Sequence, residues 1–132
     1  MSEHDKVTFI REGTNIKIQN KPNWSINKRV DCNSSNVVYL IECNIETCKE
    51  RYIGETNRKL RDRLADHRGY VTSGVVTQPT GAHFNLPGHS VANLTVTILE
   101  KVKKKCDLYR KQRESYFIQK LNTFHEGLNR RL

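Results

Sequence analysis

Val37-Val38-Tyr39-Leu40-Ile41-Glu42-Cys43 and, across the loop Asn44 to Glu50, Arg51-Tyr52-Ile53-Gly54-Glu55-Thr56 decide how this chain folds. The first stretch is a nearly continuous apolar run rich in β-branched residues. The second is a shorter run of the same kind, so the two are predicted to pair as an antiparallel hairpin over Val37 to Cys43 and Arg51 to Glu55. Alternation puts Tyr39 and Ile41 on one face. Two phenols on adjacent strands, followed at once by a basic helix, are the layout of a site that handles phosphate.

Working outward, Thr56 or Asn57 supplies an N-cap and Arg58 to Arg68 reads as a helix, with Leu60 and Leu64 turned inward and Gly69 ending it. Arg63 and His67 are one helical turn apart and lie together beside that stripe. A loop with Gly74, Pro79, Gly81, Pro87 and Gly88 follows, broken by a turn of helix around Ala82 to Asn85. Leu94, Val96 and Ile98 alternate with Thr95 and Thr97, which predicts a third strand over Leu94 to Val102. From Asp107, read as an N-cap, a helix runs to about Asn122 and buries Phe117, Ile118 and Leu121. Residues 1–36 are polar, with weak strand signals at Val7 to Ile10 and Ile16 to Ile18, and read as a basic arm or linker with room for a short hairpin. Residues 37–132 form the remaining domain.

At 132 residues the chain has room for one compact domain and no second. A formal charge of +9 and a pI near 9.6 favour polyanions. Nucleic acid comes first and an acidic membrane surface second, because the basic residues recur along the chain instead of gathering in one tail. No apolar run approaches a membrane span, and Met1-Ser2-Glu3-His4-Asp5 lacks the form of a signal peptide, so a soluble, intracellular chain is expected. In a reducing compartment the four cysteines read as thiols or metal ligands and not as disulfides.

Several side chains carry possible chemistry. Glu114 precedes Phe117, Ile118 and Leu121 at helical spacing, so its carboxylate runs along the apolar face, where it needs a partner. Mg²⁺ suits it, since that ion accepts one or two carboxylate oxygens and leaves the rest of its shell to water and phosphate. Arg63 would neutralise charge on a phosphodiester, while Tyr39, Tyr52 or His67 positions or deprotonates a water. Taken singly, each has an ordinary explanation. The tyrosines are good strand residues, Arg63 is a solvated helix residue, His67 a satisfied or surface histidine, and Glu114 an ion-pair partner of Arg110 or Lys111. Their joint placement on hairpin, first helix and last helix is what points to function.

Val37-Val38-Tyr39, Tyr52-Ile53-Gly54, Leu60-Arg61-Asp62-Arg63-Leu64 with His67, Glu114 within Arg113 to Ile118, and Asn129 in Gly127-Leu128-Asn129 together resemble the GIY-YIG endonuclease family over about residues 36–130. The resemblance implies an α/β fold with a small three-stranded antiparallel sheet flanked by helices, and metal-dependent cleavage of DNA phosphodiesters. It implies catalytic roles for Tyr39, Tyr52, Arg63, His67, Glu114 and Asn129, with Glu114 holding Mg²⁺ or Mn²⁺, and double-stranded DNA contacts by the helix arginines Arg58, Arg61 and Arg68. The first motif departs from the family pattern: valines stand where Gly-Ile precedes the tyrosine. A strand accepts that change. More narrowly, Asn36 to Cys43, Cys48, Tyr52 to Thr56, Ala82-His83-Phe84, Gly88-His89-Ser90 and Gly127-Leu128-Asn129 look like the endonuclease domain of Penelope-like retroelements. That implies a nuclear protein that nicks target DNA for insertion, beside a reverse transcriptase domain in the native polypeptide. It also implies a zinc-finger-like set of Cys43, Cys48, His83 and His89, which as two thiolates and two imidazoles would close a structural, tetrahedral Zn²⁺ site. The interval from Cys48 to His83 is too long for a DNA-reading finger, so a staple is expected. Cys32 is separated from Cys43 by the first strand, and Cys106 reads as a small, partly buried residue outside the set. The rival expectations are a catalytically silent, zinc-stapled DNA-binding module and a zinc-stapled interaction domain.

Overall fold

The computed structural model describes residues 31–48, 50–103 and 106–129, together with two short backbone segments in the arm. Those segments, β1 (Asn15–Ile16) and β2 (Trp24–Ser25), pair antiparallel. The strand signal expected at Val7 to Ile10 lies outside the described residues.

β3 (Val37–Cys43) is the centre of a three-stranded antiparallel sheet, with β4 (Arg51–Thr56) on one side and β5 (Leu94–Lys101) on the other. Its central place explains the unbroken apolar run. Val37 to Ile41 are all fully buried, because both faces of β3 are covered. On one face Val37, Tyr39, Ile41 and Cys43 pack with Leu60, Leu64 and Val71 of α1 (Leu60–Thr72) and with Phe84 of α2 (Pro79–Phe84). On the other, Val38, Leu40 and Ile53 meet Phe117 and Leu121 of α3 (Asp107–Leu121). A short α4 (Thr123–Glu126) follows. The result is a three-layer α/β fold in which β4 is an edge strand.

Element ends depart from expectation in instructive ways. α1 starts at Leu60 behind Lys59 and has no side-chain cap; the Thr56 hydroxyl instead accepts from the Arg58 amide at 3.0 Å, making a turn before the helix. Gly69 does not end α1. A methyl group there would meet nothing within 4 Å, and the helix runs on because Val71 continues the buried stripe; the chain turns at Gly74, whose φ is +66°. α2 begins at Pro79, three residues earlier than expected, with proline at the first turn where its missing N–H costs nothing. Cys106, not Asp107, occupies the N-cap of α3, and the Asp107 carboxylate takes a hydrogen bond from Arg110 at 2.6 Å.

Candidate active site and metal cluster

The register of β3 and β4 sets Tyr39 opposite Gly54 and Ile41 opposite Tyr52, so both phenols face α1. Gly54 is required there by contact. A Cβ on it would sit 2.4 Å from both Cζ and Oη of Tyr39, so the glycine opens the space that the neighbouring phenol fills. From α1, His67 brings its Nε2 to 2.8 Å from the Tyr39 Oη, and its Nδ1 lies 2.7 Å from the Thr80 Oγ1 of α2. Arg63 lies one turn earlier on the same face. Its Nη1 donates to the Tyr70 hydroxyl at 3.2 Å and to Asp66 at 3.3 Å, and its positive charge acts on both motif phenols.

Burial governs the charges. Desolvation pushes the Tyr39 phenol far above its usual range, with Tyr52 adding to the effect and Arg63 opposing it. Tyr52 is raised for the same first reason. His67 is pushed down to about 3 by burial and then by the Arg63 charge, so its imidazole is neutral at physiological pH. Glu114 belongs to α3 on the opposite side of the sheet, yet its charge acts on both Tyr39 and Tyr52. Burial, and then the nearby Glu55, push its carboxyl up to about 7. Neither Arg110 nor Lys111 takes Glu114 as its ion-pair partner; both go to Glu55, Arg110 Nε at 2.5 Å and Lys111 Nζ at 3.6 Å. A half-buried carboxylate raised by another carboxylate fits a divalent cation, which would offset both costs.

The remaining expected residues divide. Asn129 spends its amide on the backbone of β4, accepting from the Ile53 N–H at 2.7 Å and donating to the Ile53 carbonyl at 2.8 Å, so it positions the strand that carries Tyr52 and Gly54. Arg58 and Arg61 are exposed at the start of α1, Arg58 beside Asp66 and Arg61 beside Asp62. Arg68 is corrected: it is buried, since a position one turn after Leu64 turns inward, and it does not belong to an exposed basic face. Sequence reasoning missed Tyr70 and Thr80. Tyr70 was within reach, lying two turns after Arg63 and one after His67 on a single helical stripe. Thr80 gave no signal, because only the packing of α2 brings it to His67.

Cys43 at the end of β3, Cys48 in the loop after it, His83 on α2 and His89 beyond it offer four ligand atoms that lie within 4.8 Å of one another. Cys48 Sγ is 3.3 Å from His83 Nε2. His89 Nδ1 donates to the Pro87 carbonyl at 3.2 Å, which leaves Nε2 as the lone-pair nitrogen, and that atom is buried with no hydrogen-bond partner. A metal ion would satisfy it. Burial raises the Cys43 thiol and lowers His83, as expected of ligands gathered away from water. All four cysteines are free thiols, and Cys106 is exposed, not partly buried as expected. Among the described residues no helix is long and apolar enough to cross a membrane.

No curated protein and no solved structure matches the chain. The family model of the GIY-YIG catalytic domain matches residues 35–129, a span that opens just before β3 and closes on Asn129. With the paired tyrosines, the α1 arginine and histidine and the α3 glutamate all inside that span, the chain belongs to the GIY-YIG catalytic domain family and is a nuclease acting on phosphodiester bonds.

Proposed function

We propose that this nuclease nicks double-stranded DNA with the help of Mg²⁺ or Mn²⁺ at Glu114. The hydrogen bond between Tyr39 and a neutral, buried His67 beside Arg63 carries the proposal, because it fixes a phenol next to a cation. Glu114 would hold the ion, which when bound supplies Lewis acidity at a phosphoryl oxygen. Arg63 and Tyr52, both part-exposed, are the groups that meet the phosphodiester; Arg63 offsets the charge that builds on it. Tyr39 lies beneath them and orients the attacking water, held in place by its hydrogen bond with His67 Nε2. Asn129 keeps β4 in register without touching substrate. Arg58 and Arg61 supply phosphate contacts that hold the duplex without reading its sequence.

The Cys43, Cys48, His83 and His89 cluster binds a structural Zn²⁺ in this proposal, supported by four converging ligands and an orphaned His89 nitrogen. Residues 1–36 are a basic arm ahead of the nuclease domain. The protein works in the nucleus at target-site cleavage for a Penelope-like retroelement, alongside a reverse transcriptase domain; the Cys/His set is what supports that placement. The test is supercoiled plasmid incubated with and without Mg²⁺. Open-circular product that needs the ion is expected. Uncut plasmid bound by folded protein would favour a silent DNA-binding module instead.

A further inference from the structure

Thr80 stands outside every motif, yet it is fully buried and its hydroxyl meets the catalytic histidine. Its placement is tightly constrained. Pro79 opens α2, and Gly81 lets α2 settle onto the end of α1, where a Cβ would lie 2.0 Å from the Val75 carbonyl oxygen and 3.1 Å from the Tyr70 Cβ. Three residues on, the same helix presents His83 to the metal cluster.

The contacts around His67 favour one placement of its proton. Among the described residues the Tyr39 Oη has one hydrogen-bond partner, His67 Nε2 at 2.8 Å, and the neighbouring Arg63 carries donors only, so it cannot take the phenol's hydrogen. In the DNA-free protein Tyr39 is fully buried, so bulk solvent does not compete, and the phenol's hydrogen goes to His67 Nε2. A neutral imidazole that accepts at Nε2 carries its single proton on Nδ1, and Nδ1 points at the Thr80 Oγ1 at 2.7 Å. Were the tautomer reversed, Nε2–H and Tyr39 O–H would confront each other in a dry pocket.

We infer that Thr80 is a positioning residue: its hydroxyl accepts from His67 Nδ1–H, fixes that tautomer, and so keeps Nε2 open to the Tyr39 phenol. The inference rests on the Tyr39 and His67 roles proposed above, and its test separates the two. Long-range ¹H–¹⁵N spectra of ¹⁵N-histidine-labelled protein, with zinc in the Cys/His cluster and no Mg²⁺ added, should show His67 as the Nδ1–H tautomer with a slowly exchanging ring proton. Thr80→Ser should keep that signature, and Thr80→Val, equal in shape, should lose it through faster exchange or a mixed tautomer. In the plasmid assay with Mg²⁺, Thr80→Val should lower kcat about 10- to 100-fold with KM for DNA unchanged, as loss of a hydrogen bond behind a working imidazole does. Thr80→Ser should stay within about threefold of the parent, since the hydroxyl acceptor is retained. An Nε2–H tautomer in the parent protein, or Thr80→Val with parental spectrum and rate, overturns the inference. If Thr80→Val does not fold, the parent tautomer and a Thr80→Ser protein of parental rate decide. A parent protein with the expected tautomer and no nicking activity would leave the Thr80 role intact and remove the nuclease mechanism.

Discussion

Single atoms decide what the two tyrosines can do. Gly54 is separated from Tyr39 along the chain but is its direct neighbour across the hairpin, so Gly54→Ala would drive a methyl into the phenol ring. Overpacking of this kind costs about 1–3 kcal/mol. Because the displaced group is the phenol itself, nicking should fall by about a hundredfold, the scale of losing a group that positions the attacking water. Circular dichroism with a plasmid assay checks both effects, and a folded Gly54→Ala protein at parental rate would show that Tyr39 need not sit where it does. Glu114 gives a second expectation at this scale. Its folded pKa of about 7 lies above the usual carboxylate value, so the folded state holds a proton that the unfolded chain has already released. Stability from this group is therefore full below the unfolded pKa near 4.5 and is lost as pH rises through about 7. Metal-free parent protein should lose stability relative to Glu114→Gln across that window, as read by denaturation midpoints. Glu114→Gln should also abolish cation-dependent nicking while DNA binding persists, because the ion serves the chemical step and the basic surface supplies affinity. Spacing placed Tyr39 on a strand face and Glu114 along an apolar helix face, and their roles came only with the family resemblance; the space-making role of Gly54 was not legible, since it exists only once the register is known.

At the scale of elements, β4 is the vulnerable piece. It is an edge strand carrying Tyr52 and Gly54, and its outer side is capped at Ile53 by one amide, Asn129, which both accepts and donates. Asn129→Ala would leave the Ile53 N–H and carbonyl without that partner, a loss of about 1–3 kcal/mol. Nicking should fall with it, although Asn129 touches no reacting group. Asn129→Asp can still accept from the amide but cannot donate while ionised, so its stability should lie between parent and alanine variant. Equal midpoints for all three proteins would remove the clamp. The far end of β4 is held by Arg110, a buried side chain from α3 that binds Glu55 and Asn36 together. Strands and helices followed from periodicity because their apolar positions repeat at two or near four. Their ends did not follow, since ends depend on packing beyond the element. Gly69 looked like a stop, but Val71 still had a core to enter, and the buried stripe overrode the local signal.

For the molecule as a whole, the question is what holds α2 and the segment around it in place. Between α1 and β5 the chain is rich in glycine, proline and polar residues, and among its few buried side chains are Thr80, His83 and Phe84. Phe84 ties it to the core, and the Cys/His cluster ties it to the end of β3 and the loop beyond. Four ligands from such separated parts of the chain were assembled by family resemblance; spacing alone could not have joined them, because Cys48 and His83 are neighbours only after the sheet and α1 have formed. The staple therefore acts on the folded molecule, and its metal should contribute to stability in the manner of structural zinc. Chelation, or Cys48→Ser and His89→Ala, should remove close to one zinc per chain by elemental analysis. Each should lower the melting temperature by roughly 10 °C or more, the shift that a loss of a few kcal/mol gives a domain of this size. Cys106→Ser, at an exposed site outside the cluster, should change neither. The same helix that carries His83 carries Thr80, so metal loss should also blur the His67 tautomer and slow nicking even at saturating Mg²⁺. Metal-free protein that melts and cuts like the parent would mean that α2 is held by Phe84 and the apolar core alone, and that the four ligands lie together without serving the site.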